Sequence, residues 1–489
     1  MAKAKKKEWH AKDYYAGILD KIEKKYGQQS RNPYEDLFHS RMSTGILSLD
    51  LTIGGGIPPG RWVTLMGPES SGKSTLLYTI LNTALILKVP NILLYDYETS
   101  VEPTYLKNIT KLTDKEIFGV KEDKHYLFKG EDGKLSQLLG SKKSDKKEIW
   151  RVKPKIRYYT PDTGEFFFKS LHWLIQSLPD TVEYKGQYYQ RYTKALKKRV
   201  NLPDELITFK EGDFAYVKYD GPPLQVLALI DSYPEMGSAA AKEKPDNKPQ
   251  AAHARMFSTY IPLIRSAMSS KGVAIVGINH IRMKPMVMFG SPEYNPGGEH
   301  LKLAEDIRVR VANCAIPHAK GRIEEEKSIG GDLERFVYSK ANTKKNKTFP
   351  KDKTTHFRIC FESKGVSGYG IDYVWDLFEY LKATGQIKKR GNRIKITDTL
   401  PGPWCNTELT WDDLRLLIHK PVSAVLLKKL MEDKRVAKIV TSKLGVKAKA
   451  NRLRKLLDIR SACFKQITDR TAFYMTADAV TQTKEEKEE

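Results

Sequence analysis

The stretch at residues 67–74 (GPESSGKS) places two glycines, a lysine and a serine in the spacing G-x-x-x-x-G-K-[S/T]. Residues 61–66 before it are apolar enough for a buried strand, and residues 74–88 have the composition of a helix. A glycine turn between a strand and a helix directs backbone N–H groups and the positive end of the helix dipole at one point, which suits phosphate. A glycine-rich turn without a ligand is the alternative, but the long motif and both flanking elements favour phosphate binding.

The motif also predicts a role for its polar side chains. The Lys73 ammonium can reach the β- and γ-phosphates of a nucleoside triphosphate, and the Ser74 hydroxyl can ligate Mg²⁺. The residues expected to line the phosphate site are Gly67, Pro68, Glu69, Ser70, Ser71, Gly72, Lys73, Ser74 and Thr75.

The charge of the chain predicts a polyanionic partner. The 489 residues carry a formal net charge of +25, and such an excess indicates nucleic acid first, with a membrane surface as the rival. No apolar run approaches the roughly 18 residues of a membrane span, and the amino terminus lacks the apolar stretch of a signal peptide. We therefore expect a cytoplasmic protein with no membrane partner.

The four cysteines form no C-x-x-C pair, so a zinc ribbon is not expected. Scattered cysteines in a chain of this size are typical of reduced thiols in a reducing compartment. The length allows two or three domains.

The pattern of apolar runs predicts an α/β fold from about residue 43. Helical patterns lie between several of the runs, and continuous apolar strands separated by helices indicate a mostly parallel sheet that is covered on both faces. The predicted strands are residues 61–66, 91–97, 224–231 and 273–279.

Three segments interrupt this rhythm. Residues 113–155 are charged and poor in aliphatic side chains, and residues 180–222 are rich in tyrosine and lysine, so both are interpreted as insertions rather than core strands. Residues 234–254 are dominated by Pro, Ala, Lys and Asn and are predicted to be a mobile loop.

The two ends of the chain differ from the α/β part. Residues 12–27 have apolar side chains at helical spacing, and this helix can pack on its own core or on a neighbouring subunit. Beyond Gly370 a helix is predicted first, then a basic turn and strand. Residues 434–470 hold 12 Lys or Arg against 2 Asp, and the chain ends in a charged tail, KEEKEE.

Polar residues at the ends of three predicted strands are candidates for chemistry. Glu98 follows the second strand and can orient and polarise a water for attack on a γ-phosphate, although a helix N-cap or a solvated strand end is the alternative. Asp231 ends a strand in the way expected of a residue beside Mg²⁺, with a plain strand-ending Asp as its alternative. Asn279 and His280 end the next strand and could sense the γ-phosphate.

The segment that follows, residues 281–299, combines basic, apolar and glycine residues. Exposed apolar side chains beside Arg and Lys suit contact with unstacked bases and phosphates, whereas an ordinary surface loop is the alternative. The candidates for DNA contact are Arg282, Met283, Lys284, Phe289, Gly297 and Gly298.

Taken in order, several motifs resemble the bacterial RecA recombinase family. They are STGILSLDLTIGGGIPPGR, GPESSGKST and INHIRMKPMVMFGSPEYNPGGEHLK, with LDKIEKKYG near the amino terminus and YTPDTGE between the insertions. The resemblance covers most of residues 12–112, 156–179 and 224–375. It implies an ATP- and Mg²⁺-dependent ATPase that polymerises as a helical filament on single-stranded DNA, pairs it with duplex DNA and exchanges strands in recombination and repair.

The resemblance also implies residue roles. Glu98 corresponds to the catalytic glutamate, Asp231 to the Mg²⁺-associated aspartate, and Glu102 and Tyr105 to positions that meet adenine. Residues 234–254 and 281–299 correspond to two DNA-binding loops. Lys345 and Lys347 correspond to lysines that reach the γ-phosphate bound by the neighbouring subunit, so they join Lys73, Glu98 and His280 as candidate catalytic residues.

The chain departs from the family at three informative positions. His280 stands where the family has a glutamine sensor, Leu303 replaces an aromatic residue used in subunit coupling, and Glu299 replaces an Asn. Divergence with insertions would suit the recombinase of a large bacteriophage.

The expected organisation has three parts. They are an amino-terminal helical oligomerisation arm (1–40), a RecA-like ATPase core (41–370) and a smaller basic α+β domain with a charged tail (371–489). A ring helicase on the same core and a non-catalytic recombination mediator are the two rival functions.

Overall fold

The structure is a computed structural model, and it describes part of the chain. The described residues are 41–110, 112–121, 127–129, 135–137, 150–184, 187–221, 224–243, 249–283, 293–315, 323–327, 333–363, 369–372, 375–376, 387–391, 393–396 and 408–410. The predicted amino-terminal helix (12–27), the basic segment 434–470 and the charged tail lie outside the described residues.

Helices and strands alternate up to residue 110. They are α1 (Leu47–Ile53), β1 (Trp62–Gly67), α2 (Lys73–Ile86), β2 (Asn91–Asp96) and α3 (Pro103–Thr110). Helix α1 ends at Gly54, whose φ of 91° is left-handed and whose Cβ, if present, would lie 2.6 Å from the Phe349 ring. Only glycine suits that position. The strand and the helix predicted on either side of the glycine loop are confirmed.

The first predicted insertion contains small, separate elements. They are α4 (Asp114–Phe118), β3 (Val120–Lys121), β4 (Leu127–Lys129), β5 (Leu135–Gln137) and β6 (Trp150–Val152). Helix α4 begins at a capping box, in which the Thr113 hydroxyl accepts from the Glu116 N–H and the Glu116 carboxylate accepts from the Thr113 N–H. Strand β3 pairs with β6 and β4 with β5, and none of these described strands joins the central sheet.

A second sheet follows the next strand–helix unit of the core. That unit is β7 (Arg157–Tyr159) and α5 (Gly164–Ser177), and the next elements are β8 (Asp180–Tyr184), β9 (Gln187–Thr193), α6 (Lys194–Val200), β10 (Phe209–Glu211) and β11 (Phe214–Lys218). Strands β8 to β11 form an antiparallel four-stranded sheet in the order β10-β11-β9-β8. Residues 180–218 therefore build a sheet of their own beside the core.

The predicted mobile loop at 234–254 is wrong for most of the residues that are described. The chain continues as β12 (Val226–Asp231), a 3-10 turn (Tyr233–Glu235), α7 (Ala239–Glu243), α8 (Pro249–Met268) and β13 (Val273–His280). The segment is rich in alanine, which is the strongest helix former, and Pro249 lies at a first helical position, where its missing N–H costs nothing. Only residues 244–248 lie outside the described part.

The remaining elements complete the core and begin the carboxyl-terminal part. They are β14 (Arg282–Met283), β15 (Glu293–Tyr294), α9 (Gly298–Ala304), β16 (Ile307–Cys314), β17 (Ile323–Lys327), β18 (Leu333–Asn346), β19 (Thr354–Ser363), β20 (Gly370–Ile371), β21 (Ile387–Arg390), β22 (Arg393–Ile396) and β23 (Glu408–Thr410). The predicted basic turn and strand near residue 390 is a hairpin, since β21 and β22 pair antiparallel across Gly391.

The central sheet has ten strands in the order β20-β19-β18-β16-β1-β13-β12-β2-β7, with β17 paired to β18. The strands from β16 to β7 all run parallel. The register places Gly67 opposite His280 and Asp96 opposite Asp231. The predicted mostly parallel sheet is confirmed, and the carboxyl ends of its strands meet at one edge.

Two apolar cores cover the two faces of the sheet. Along β12, Leu227 and Leu229 belong to one core, whereas Ala228 and Ile230 belong to the other. Helix α2 packs in the first core, and helices α5 and α8 pack in the second. Burial on both faces explains why the strands are continuously apolar rather than alternating.

The inserted four-stranded sheet attaches at the amino-terminal ends of the parallel strands. The Asp180 carboxylate contacts Arg191 at 3.1 Å and Lys271, just before β13, at 3.2 Å. The Gln190 side chain bonds to the side chain of Gln225, just before β12, at 3.1 Å. The insertion therefore lies at the edge of the central sheet opposite the glycine loop. Among the helices of the described ranges, none has both the length and the apolar character needed to cross a bilayer.

A buried ion pair fixes the antiparallel side of the sheet, and its removal should be costly. The Arg358 guanidinium on β19 is 1% exposed, donates to Asp372 at 2.6 and 2.8 Å, and lies 4.0 Å from the centre of the Phe336 ring. Asp372→Ala should lower the stability by about 3–5 kcal/mol, because it removes the buried carboxylate of the pair and leaves the guanidinium with the partly exposed Glu324 at 3.0 Å.

The measurement is the midpoint of urea unfolding. The control is Asp204→Ala, which removes an exposed carboxylate from Lys197 and should cost less than about 1 kcal/mol. Equal shifts for the two variants would contradict this account of Arg358.

Candidate nucleotide and DNA sites

The glycine loop is held against the sheet by two neighbouring strands. Asn313 on β16 donates to the Ser70 carbonyl at 3.1 Å, and Ser339 on β18 donates to the Ser71 carbonyl at 3.1 Å. Gly72 has a φ of 92° and directly precedes α2. These contacts direct the start of α2 at the space above the loop, as phosphate binding requires.

The side chain of Lys73 folds back over the loop. Its ammonium donates to the Pro68 carbonyl at 2.6 Å. Burial lowers the pKa of Lys73, while the carboxylates of Asp231, Glu98 and Glu69 act in the opposite direction. A triphosphate above the loop would offer this ammonium a charged acceptor in place of a neutral carbonyl.

A cleft of about 380 Å³ opens above the loop. Its walls are Glu69 to Thr75, Glu98, Tyr105, His280, Val337, Ile359 and Phe361. Val337, Ile359 and Phe361 come from β18 and β19 and were not predicted from the sequence. Ile359 and Phe361 are two residues apart on one strand and so share a face, but only the fold shows that this face meets the loop.

Glu98 lies at the centre of a polar cluster in this cleft. Its Oε1 accepts from the Ser232 hydroxyl at 2.6 Å and lies 2.7 Å from the His280 Nε2. The hydrogen bond from His280, with that from Ser232, lowers the pKa of Glu98 to about 2 against the opposing effect of burial. Glu98 is therefore ionised, and its partner is the His280 that replaces the expected glutamine. Ser232 was not singled out from the sequence.

The buried carboxylate of Asp231 has the geometry of a Mg²⁺ ligand. Its Oδ2 is buried and has no hydrogen-bond partner among the described residues. Burial raises the pKa of Asp231 to about 7, Glu98 and Asp96 add to the rise, and a hydrogen bond with Ser74 opposes it. A dication would favour the charged form, and a carboxylate and a hydroxyl beside phosphate oxygens are a donor set that Mg²⁺ accepts. The residues predicted to hold the metal therefore fit it.

Tyr105 lines the cleft, whereas Glu102 does not. The Tyr105 hydroxyl bonds to the Thr75 hydroxyl at 2.7 Å, so its ring is fixed at the wall of the cleft. The Glu102 carboxylate is exposed and accepts from the Tyr105 N–H at 2.5 Å, which caps the start of α3. The side chain of Phe361 is 39% exposed and offers a second ring surface in the cleft.

Lys345 and Lys347 do not line the cleft of their own chain. The Lys345 ammonium donates to the Lys302 carbonyl at 2.5 Å, and the Lys347 ammonium donates to the Leu303 carbonyl at 3.1 Å. Both lysines are thus at the carboxyl end of α9, and the side chain of Leu303 is 62% exposed beside them.

A second cleft, of about 870 Å³, lies between the two segments predicted to bind DNA. Arg282 and Tyr294 from β14 and β15, together with Gly297 and Gly298, form one side, and residues of α7 and α8 form the other. Gly297 and Gly298 have φ values of 109° and 76°, so the chain turns sharply into α9. Glu299 is exposed at this cleft and pairs with Lys302 at 3.0 Å.

The predicted DNA contacts are only partly within the described structure. Arg282 is exposed and pairs in register with Tyr294, and the backbone of Met283 pairs with Glu293. Lys284 and Phe289 lie outside the described residues.

One strand connects the two clefts. His280, the last residue of β13, lies in the cleft above the glycine loop, and the side chain of Asn279 next to it donates to the Pro296 carbonyl at 3.0 Å. Pro296 lines the second cleft. Adjacent residues of a single strand therefore contact both candidate sites.

Comparison with known proteins agrees with this geometry. A family described as the RecA N-terminal domain matches residues 15–122 and 228–367, which together make up half of the chain. The residues between the two matched segments include most of both predicted insertions.

Individual relatives carry the same name. Protein RecA of Rickettsia massiliae (strain Mtu5) is 28% identical over 364 residues, which cover 73% of this chain and 76% of that protein. Protein RecA of Prochlorococcus marinus (strain MIT 9515) is 26% identical over 425 residues, which cover 86% and 87% of the two chains. The glycine loop, the parallel sheet and these matches together show that the chain belongs to the RecA family of recombination proteins.

Proposed function

We propose that this protein is an ATP-dependent recombinase that forms filaments on single-stranded DNA and catalyses homologous pairing and strand exchange. The main support for this proposal comes from the end of β13. There His280 contacts Glu98 in the nucleotide cleft, and Asn279 donates to the Pro296 carbonyl in the wall of the second cleft. A change at the γ-phosphate would reach the DNA-facing segment through two adjacent residues.

The nucleotide cleft supplies the groups that ATP hydrolysis requires. The loop N–H groups and Lys73 hold the phosphates, and Glu98 orients the attacking water. Mg²⁺ would be held by Ser74 and Asp231 and would neutralise charge on the β- and γ-phosphate oxygens. The rings of Tyr105 and Phe361 form surfaces against which adenine can pack.

The contact between His280 and Glu98 would change when a nucleotide with a γ-phosphate binds. The His280 Nε2 contacts Glu98, and a phosphate oxygen of ATP would compete for the same nitrogen. Movement of His280 toward phosphate would leave Ser232 as the main partner of Glu98 and would pull on the end of β13. Hydrolysis would then switch the filament between tight and weak DNA binding rather than drive strand pairing itself.

The second cleft is the proposed site of single-stranded DNA. Arg282 would neutralise a phosphate, Met283 and Phe289 would contact bases, Lys284 would add charge, and the glycine turn at Gly297 and Gly298 would allow a close approach of the backbone. The net charge of +25 supports a polyanionic ligand.

The nucleotide is proposed to lie between subunits. Lys345 and Lys347 contact α9 and do not line the cleft of their own chain, so they would act on ATP bound by a neighbour, in a filament that the amino-terminal segment 1–40 helps to join. The boundaries of the three parts, at residues 40 and 370, remain predictions.

The proposal is tested by ATPase assays and electron microscopy of the full chain. We expect turnover that is stimulated by single-stranded DNA, and regular helical filaments in the presence of ATP. Closed rings would favour a helicase, and DNA binding without ATP turnover would favour a non-catalytic mediator.

Replacement of Lys73 tests the phosphate site. Lys73→Ala should lower ATP turnover by at least about 10²-fold, because it removes the ammonium directed at the β- and γ-phosphates. The matched control is Lys169→Ala, an exposed lysine on α5 outside both clefts, which should retain normal turnover. Near-normal turnover in Lys73→Ala would place the site elsewhere.

Replacement of Glu98 separates nucleotide binding from hydrolysis. Glu98→Gln keeps the shape and an acceptor for Ser232 but removes the negative charge that orients water. ATP should still bind, steady-state hydrolysis should slow by about 10²-fold or more, and filaments on DNA should last longer by microscopy. Loss of ATP binding in this variant would instead assign Glu98 a structural role.

Replacement of Arg282 tests the DNA cleft. If Arg282 neutralises one phosphate, Arg282→Gln should reduce the slope of log K against log salt by roughly one unit for single-stranded DNA. Arg157→Gln, at the start of β7 and outside the cleft, is the control. Identical slopes for wild type and Arg282→Gln would remove this residue from the DNA site.

A further inference from the structure

The buried carboxylate of Asp306 follows α9 and lies beneath the two lysines. Asp306 is fully buried, accepts from the Trp62 N–H at 2.9 Å and accepts from Arg265 at 2.6 Å. The guanidinium of Arg61 and the ammonium of Lys347 each lie 3.5 Å from the same carboxylate. Three cations therefore surround a single negative charge.

Asp306 fixes the backbone of Lys347 as well as its side chain. The Lys347 N–H donates to the Asp306 carbonyl at 3.0 Å, and the Asp306 N–H donates to the Trp62 carbonyl at 2.8 Å. Asp306 thus connects the first residue of β1, the strand that leads to the glycine loop, with the segment that carries Lys347.

The charges around Asp306 keep it ionised. Burial alone would raise the pKa of Asp306, but the hydrogen bond and charge of Arg265, the Trp62 N–H and the charge of Arg61 outweigh burial, and the pKa is lowered. A permanent carboxylate gives the Lys347 ammonium a fixed counter-charge. The side chains of Arg61, Arg265 and Lys347 are each partly exposed around the buried carboxylate.

Helix α9 links this cluster to the DNA cleft. Its first turn begins at Gly298, where an added Cβ would lie 3.0 Å from the Ala254 Cβ on α8, and its last carbonyls accept from both lysines. A helix of seven residues is only about 10 Å long, so the second cleft and the two lysines lie at opposite ends of one short helix.

We propose that Asp306 is a positioning residue that holds Lys347 in place for the nucleotide bound by the neighbouring subunit. The inference rests on the proposed action of Lys345 and Lys347 across the subunit interface and adds the group that aligns one of them. Without the carboxylate, the ammonium of Lys347 would be repelled by Arg61 and Arg265 and would leave its fixed position.

The first test is the kinetics of Asp306→Asn, which keeps the side-chain shape and an acceptor for the Trp62 N–H. The turnover number with saturating single-stranded DNA should fall by at least about tenfold, because a charge-assisted contact is lost. The KM for ATP should stay within about twofold, since the nucleotide site of the same chain is intact. Asp352→Asn, which changes an exposed aspartate paired with Lys351, should match the wild type. Parallel changes in KM and turnover would overturn the proposal.

The second test asks whether Asp306 acts through Lys347. In the double variant Asp306→Asn with Lys347→Ala, turnover should be no lower than in Lys347→Ala alone. Losses that multiply would show that Asp306 acts elsewhere, and the proposal would fall.

The third test mixes variants and separates positioning from folding. Glu98→Gln subunits have a damaged cleft and an intact Asp306. Asp306→Asn subunits have an intact cleft and lack the Asp306 carboxylate. In an equal mixture, about one quarter of the head-to-tail interfaces pair an intact cleft from one subunit with an intact Asp306 from the next. About one quarter of wild-type turnover should therefore return. Asp306→Ser, which removes the carboxylate with a smaller side chain, should give the same result if Asn is not accommodated.

The reference mixture is Lys347→Ala with Glu98→Gln. If it recovers turnover and both Asp306 mixtures do not, the action of Lys347 across the interface stands and the role of Asp306 is refuted. If no mixture recovers, the proposed action across the interface fails, and the role of Asp306 fails with it.

Discussion

The site depends on the parallel register of the central strands. Because β2, β12 and β13 are buried on both faces, they cannot slide without moving apolar side chains from one core into the other. Their register places Asp96 opposite Asp231 and Gly67 opposite His280. The polar residues that follow these apolar runs are therefore gathered at one edge, where the loop between β1 and α2 also opens.

Charged side chains are concentrated at that edge, and the surroundings of each carboxylate set its pKa. Hydrogen bonds from His280 and Ser232 lower the pKa of Glu98, whereas burial beside other carboxylates raises the pKa of Asp231 to about 7. Two carboxylates at the carboxyl ends of neighbouring strands thus have opposite shifts in pKa. Such a separation suits one group to orient water and the other to hold a metal.

Much of this architecture could be predicted from the sequence, for definite physical reasons. The glycine loop, the four apolar strands and the positions of Glu98, Asp231 and His280 follow from local patterns. A strand that is buried on both faces consists of a continuous run of apolar residues, which the sequence shows directly. The contribution of Phe361 and Ile359 could not be predicted, since it depends on which face of an antiparallel strand meets the loop. Ser232 was missed because a single serine after a strand carries no pattern.

The error at residues 234–254 has a different origin. Proline, lysine and asparagine suggested a loop, but the alanines at 239–241 and 251–252 favour helix, and α8 gains stability by packing Phe257 and Ile264 into the core. The position of Lys347 above Asp306 also could not be predicted. The two residues are 41 positions apart in the chain and meet only where β18 ends beside α9.

The inserted sheet of β8 to β11 has a thermodynamic consequence for the whole chain. Among its described residues the buried apolar side chains are Tyr192, Leu196, Ala215 and Tyr216, which are too few to order some forty residues independently. Its order therefore relies on its attachment through Asp180 and Gln190 to the amino-terminal ends of the central strands. On heating, this unit should melt before the core does, so the calorimetric profile of the chain is expected to depart from a single two-state transition.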